Sequence, residues 1–170
     1  MSTDNYFTPE KIRFDGEQAK PTNSKLIRQL KLKTPKDLDN QIHDAHDEAF
    51  SRIDCLDCGN CCKTTSPVFT LNDVDRISKR LKMKPGTFTE TYLTLDLDDD
   101  LVLKTAPCSF LLDDNSCSIY DDRPTACRTY PHTNRKKMYQ LLDLTYENSF
   151  VCPAVQSIMK TLARVYIKPA

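Results

Sequence analysis

The sequence predicts an α+β fold, mostly helical: one small domain with a β-hairpin, a flexible N-terminal arm and a core stapled through its cysteines. Three observations predict it. Apolar residues recur at helical spacing behind threonine or proline in three segments. Short leucine-rich or β-branched runs, separated by Asp, Asn and Ser, occur between residues 101 and 120. Apolar residues make up only 39% of the chain against 28% charged, while cysteine appears eight times. Core material is therefore lean and cysteine is in surplus.

Residues 1–33 are polar, mixed in charge and without clear periodicity, which reads as an extended or loosely docked arm ahead of a domain of residues 34–170. Thr34-Pro35-Lys36-Asp37 offers a threonine N-cap with proline at the first helical position. Leu38, Ile42, Ala45, Ala49 and Ile53 follow on one helical face, delivering the chain to Cys55. Thr70, with Asp73 three residues on, marks a second helix. Its buried stripe is Val74, Ile77 and Leu81, and Lys84-Pro85-Gly86 stops it. A short helical turn around 88–93 and a solvated acidic loop over 96–100 come next. Leu101-Val102-Leu103 reads as a strand, and Phe110–Leu112 with Ser118–Tyr120 reads as a hairpin. Pro153 opens the clearest helix, with Val155, Ile158, Met159, Leu162, Val165 and Tyr166 on one face.

Charge and composition exclude several classes of function. Twenty-four basic residues balance 24 acidic ones, so no net charge draws the whole chain toward nucleic acid or an anionic membrane surface. Three glycines cannot furnish a glycine-rich phosphate loop. No apolar run approaches membrane-spanning length. The start, Met1-Ser2-Thr3-Asp4-Asn5-Tyr6, lacks the basic and apolar segments of a secretory signal. The expected compartment is the reducing cytoplasm, where clustered cysteines serve as metal ligands rather than bridges.

Cys55-x-x-Cys58-x-x-Cys61-Cys62 has the spacing at which tight turns aim successive sulfurs at one point. Adjacent side chains diverge, so Cys62 is expected to serve a second metal, another iron of the same cluster, or as a resolving thiol. Cys108 and Cys117 lie at the ends of the expected hairpin. Cys127 follows the helix-starting Arg123-Pro124, and Cys152 precedes the proline of the last helix. At that helix N-terminus, unpaired amides favour a thiolate. Cys55, Cys58 and Cys61 with the remote Cys152-Pro153 match the arrangement of a [4Fe-4S] cluster. Eight cysteines equally make two tetrahedral zinc sites, so zinc and iron both stay open. Arg123 and Arg128, flanking Cys127, are expected to hydrogen-bond thiolate sulfurs and offset their charge. His132 is a spare donor that eight cysteines do not require, and His43 and His46 read as a solvated pair.

The run Cys55-Leu56-Asp57-Cys58-Gly59-Asn60-Cys61-Cys62, then Cys108-Ser109-Phe110-Leu111, then Cys117 through Pro124 and Cys127-Arg128-Thr129-Tyr130-Pro131, resembles the family named for its CxxCxxCC motif. The likeness covers roughly residues 50–155. It implies chelation of zinc or iron by these cysteines. The same cysteine pattern is similar to that of flagellin N-methylase, which implies iron–sulfur-dependent radical chemistry in some members. The single domain expected here offers no evident place for a methyl donor, so that activity is not expected of these residues. No acid–base pair, nucleophile elbow or cofactor loop is legible. The expected function is therefore metal binding, as a carrier or adaptor. The alternatives are an iron–sulfur redox or radical enzyme or its accessory protein, and a thiol redox sensor in which Cys61 and Cys62 exchange between metal and disulfide.

Overall fold

The computed structural model describes residues 7–167. Among them, nine α-helices follow in chain order: α1 (Pro9–Leu32), α2 (Leu38–Phe50), α3 (Cys55–Cys58), α4 (Asn60–Thr64), α5 (Leu71–Arg80), α6 (Pro85–Tyr92), α7 (Thr125–Thr129), α8 (Leu142–Asn148) and α9 (Pro153–Tyr166). Two strands, β1 (Leu93–Leu95) and β2 (Leu101–Leu103), pair antiparallel. The fold is thus α+β and mostly helical. The chain gathers into two compact units, one of the residues up to Cys58 with those from Pro131 onward, the other of Gly59–Tyr130.

In the first unit the expected arm is, from Pro9 on, a helix of 24 residues; its first six residues lie outside those described. Thr8 caps α1 by accepting from the Lys11 amide at 3.2 Å, and Pro9 takes the first helical position. The buried face of α1 carries Ile12, Gly16, Asn23, Leu26, Ile27 and Leu30. Gly16 and Asn23 stand where an apolar stripe would continue, which is why the periodicity is faint in sequence. Gly16 lets α1 meet the Phe150 backbone, since a Cβ there would lie 3.1 Å from the Phe150 Cα. Asn23 Nδ2 donates to the Ser149 hydroxyl at 3.4 Å.

α2 starts at Leu38, three residues later than its proline suggests. The Thr34 hydroxyl closes α1 instead, donating to the Leu30 carbonyl at 3.0 Å. Leu38, Ile42, Ala45 and Ala49 are buried as their spacing requires, whereas Ile53 packs from beyond the helix end. His43 and His46 are not a solvated pair. His43 Nε2 bonds the Arg135 carbonyl at 2.9 Å, and His46 Nδ1 bonds the Thr133 hydroxyl at 2.8 Å. The Asp39 carboxylate accepts the Lys137 and Met138 amides at 2.7 and 2.8 Å. The polar side of α2 thereby fastens the returning chain. α9 fills the other side with Val155, Ile158, Met159 and Leu162, while Val165 of its expected stripe is 63% exposed.

The second unit is organised around α5, where Thr70 and Asp73 form a complete capping box and Val74 and Ile77 are buried. Lys82, at φ 55°, turns the chain out of α5. Pro85 then opens α6 rather than merely stopping its predecessor, and α6 buries Phe88. The sheet is the hairpin of β1 and β2, in register Leu93↔Leu103, Thr94↔Val102, Leu95↔Leu101. The acidic residues form its tip, where Asp96 Oδ1 accepts the Asp98 and Asp100 amides at 2.9 and 3.0 Å. The hairpin expected over 110–120 is a tight loop with a single bridge, Leu111↔Cys117. Asp114 Oδ1 takes the Ser116 amide and hydroxyl, and Asn115 adopts φ 64°, as the turn between the two runs requires. The runs themselves also turn, with the Leu111 amide on the Cys108 carbonyl at 3.1 Å and the Tyr120 amide on the Cys117 carbonyl at 3.2 Å, so neither extends as a strand. Phe69, Val74, Ile77, Phe88, Leu93, Leu103, Phe110 and Ile119 form the core here.

Candidate metal centre

Five cysteines belong to the second unit. Cys61 and Cys62 sit on α4, entered through Gly59 in the left-handed conformation at φ 57°. A Cβ on Gly59 would lie 2.9 Å from Asn115 Oδ1, so the close approach of the 110–120 loop requires glycine there. The Cys108 amide donates to the Cys62 carbonyl at 2.8 Å, which sets these two residues side by side. The bridge between Leu111 and Cys117, with the Ser118 amide on the Phe110 carbonyl at 2.9 Å, brings Cys117 back toward Cys108. Cys127 comes from α7, a helix of five residues behind Pro124.

These thiols influence one another. Cys62, Cys108 and Cys117 each push the Cys127 thiol up, a smaller effect than its burial, and together these bring it to about 12. Burial is also the first cause of the upward displacement of Cys108 and Cys117, with Cys62 adding to both. Cys62 differs. A hydrogen bond from the Cys61 side chain outweighs burial and brings its thiol down to about 7. Backbone amides are aimed at two of the sulfurs. Phe110 donates toward Cys108 Sγ at 3.5 Å, and the Ile119 amide favours the Cys117 thiolate. Amide donors two residues beyond a cysteine stabilise thiolate sulfur, as metal-binding thiolates need.

The remaining three cysteines belong to the first unit. Cys55 and Cys58 end the one-turn helix α3, exposed and buried respectively. Cys152 is the N-cap residue of α9. The Ala154 and Val155 amides favour its thiolate as expected at a helix start, though its side chain closes no capping hydrogen bond. Burial outweighs them and, with Cys55 and Cys58 as like-charged neighbours, pushes the thiol up to about 12. None of the eight cysteines, all within the described residues, is in a disulfide. Nor do three sulfur, imidazole or carboxylate groups among the described residues stand as a closed metal shell. The fold gathers thiols and stops short of coordination geometry. Sulfur donors in this number, with amides aimed at them, suit zinc or iron and not a hard cation.

The arginines beside Cys127 donate to backbone carbonyls rather than to the sulfurs expected for them. Arg123 lies over the Tyr120 ring at 3.8 Å, donates to the Tyr120 carbonyl at 2.6 Å and favours the thiolates of Cys117 and Cys127 through its charge. Arg128 donates to the Arg123 carbonyl at 3.1 Å and to the Asp121 carbonyl. His132 sits in the first unit at φ 66°. Two residues with no place in the sequence-level site bear on it, Asp73 and Arg76. The Thr70-x-x-Asp73 box was legible, but not that its carboxylate reaches Thr125, two residues before Cys127.

Helical units that carry cysteines from distant segments define the class: a small, mostly helical, cysteine-rich protein. The profile of the CxxCxxCC family, described as a "Putative zinc- or iron-chelating domain", matches residues 54–147, over half of the chain, and the chain belongs to that family. The match ends before Cys152. No curated protein and no solved structure matches the chain. Among the described residues, no helix is long and apolar enough to cross a membrane.

Proposed function

We propose that this protein chelates zinc or iron through thiolates, with Cys62, Cys108, Cys117 and Cys127 as one four-sulfur centre. Cys55, Cys58 and Cys152 are ligands of a second metal or cluster, and the protein serves as a metal carrier or adaptor. One observation carries the reading: the Cys108 amide on the Cys62 carbonyl at 2.8 Å and the Leu111↔Cys117 bridge draw separate stretches of the second unit together at their cysteines, and Cys62, Cys108 and Cys117 in turn act on the Cys127 thiol. In their half-buried surroundings such a cluster is unfavourable as free thiolates, and a divalent cation relieves both the repulsion and the desolvation. The family match over residues 54–147 supports the same reading.

Anaerobic purification, metal analysis and an absorption spectrum test it. Zinc leaves the visible spectrum blank, whereas an iron–sulfur centre absorbs there. Cys117→Ser is expected to release metal and to lower the melting temperature, because binding and folding are linked. Cys152→Ser is expected to release a separate portion of the metal. Full metal content and an unchanged melting temperature in both variants would refute the assignment.

A further inference from the structure

Asp73 is a fully buried carboxylate whose two oxygens do different things. Oδ2 accepts the Thr70 amide at 3.0 Å and the Thr70 hydroxyl at 2.7 Å, which completes the cap of α5. Oδ1 faces another part of the chain. It accepts Arg76 Nη2 at 2.6 Å, the Thr125 amide at 3.1 Å and the Thr125 hydroxyl at 3.0 Å. Thr125 is the first residue of α7, and the residue at its N-cap position is Pro124, whose side chain cannot cap. The carboxylate of α5 therefore satisfies an amide that α7 cannot satisfy itself. Arg76 extends the same grip, donating to the Asp122 and Arg123 carbonyls at 3.3 and 2.9 Å.

A five-residue helix has no stability of its own. Its place depends on what holds its ends, and Cys127 is its third residue. Capping α5 alone would not demand a carboxylate with no exposed surface, because helix caps function well at the surface. Burying a charge is tolerated only when several donors surround it. Here more than half of those donors belong to the approach to α7 or to the arginine that holds it.

The geometry points to Asp73 as the positioning residue for Cys127: through Thr125, and with Arg76, it holds the start of α7 so that the Cys127 thiol faces those of Cys62, Cys108 and Cys117. Its functional meaning rests on the reading of Cys127 as a metal ligand, whereas its geometry does not. Metal–sulfur bonds tolerate little displacement, so a residue that fixes one ligand's helix governs whether the centre closes.

The test is thiol bridging in the metal-free, reduced protein with dibromobimane, which fluoresces once both its bromides are displaced by neighbouring thiols. Mass spectrometry then maps the bridged pairs. Wild type is expected to give bridges that include Cys127 as well as Cys62–Cys108 bridges. Asp73→Ala should lower the Cys127 bridges at least about fivefold, as befits the loss of hydrogen bonds to a charged group. Cys62–Cys108 bridging should persist. Thr70→Ala weakens the α5 cap while leaving the Thr125 contact, and should keep Cys127 bridging near wild type. Unchanged Cys127 bridging in Asp73→Ala, or an equal loss in Thr70→Ala, overturns the inference. Should Asp73→Ala fail to fold, Thr125→Val decides, with an expected loss of about threefold confined to Cys127 bridges. No loss in that variant overturns the inference.

Cobalt(II) uptake by wild type separates this from the underlying reading. Bridging that responds to Asp73 in a protein that takes up no cobalt supports the positioning role and defeats metal ligation. Cobalt uptake with bridging indifferent to Asp73 defeats the positioning role alone.

Discussion

At Asp73, burial alone would raise the carboxyl, but hydrogen bonds from Thr70, Arg76 and Thr125 outweigh it and hold the group well below the usual carboxylate range. A lowered folded value means that the unfolded chain holds the proton more tightly. The stabilisation is therefore complete above the unfolded value of about 3.9 and is lost as pH falls through the folded value. In metal-free, reduced protein, Asp73→Asn is expected to cost about 3 kcal/mol at neutral pH, as for one partner removed from a buried ion pair. Urea midpoints measured down to about pH 3 should show the gap from wild type narrowing below about pH 4. A gap constant with pH would assign the cost to packing. Gly59 is the second critical residue. With φ at 57° and Asn115 against it, Gly59→Ala should cost more than the roughly 1–2 kcal/mol of left-handed strain alone. Metal retention should weaken with it, since Gly59 leads into the helix of Cys61 and Cys62. Thermal melting and metal analysis of the one variant check both effects.

Among the elements, α1 changes the picture most. Leu26 is 0% exposed within the core that also holds Ile158 and Leu162. Leu26→Ala is expected to lower stability by about 2–5 kcal/mol, the range for a large buried side chain cut to alanine. A loosely docked arm would lose nothing, so urea denaturation of this variant discriminates directly. α9 and α5 follow their sequence signatures closely, because proline at one start, a capping box at the other and an apolar stripe along each are local features. The first strand of the hairpin is masked in sequence for a reason that is also local. Leu93-Thr94-Leu95 continues without a break from α6, so its first residue extends a helical pattern. Its partner Leu101–Leu103 was legible on its own.

For the whole molecule, the two units have unequal means of standing without metal. Fourteen buried residues form the core cluster of the first, and eight that of the second, among the described residues. Smaller cores leave less margin over chain entropy, and metal ligation then carries more of the folding free energy. Chelation under reducing conditions is expected to speed hydrogen exchange at Val74 and Ile77 by a larger factor than at Ile158 and Met159. Equal factors at both pairs would mean that the second unit stands without its thiol centre.

The sequence by itself determined the helical class, the buried stripes of α2, α5 and α9, and the cysteine motif. Each of these is written in spacings of a few residues, where burial and capping leave a periodic mark. Tertiary structure alone decided that α1 is part of a core, because Gly16 and Asn23 occupy its buried face and break the stripe. It also decided which cysteines are neighbours, and that Asp73 caps a helix 52 residues away. Such pairings depend on where the chain returns in space, and a hydrogen bond across that distance leaves no local pattern to read.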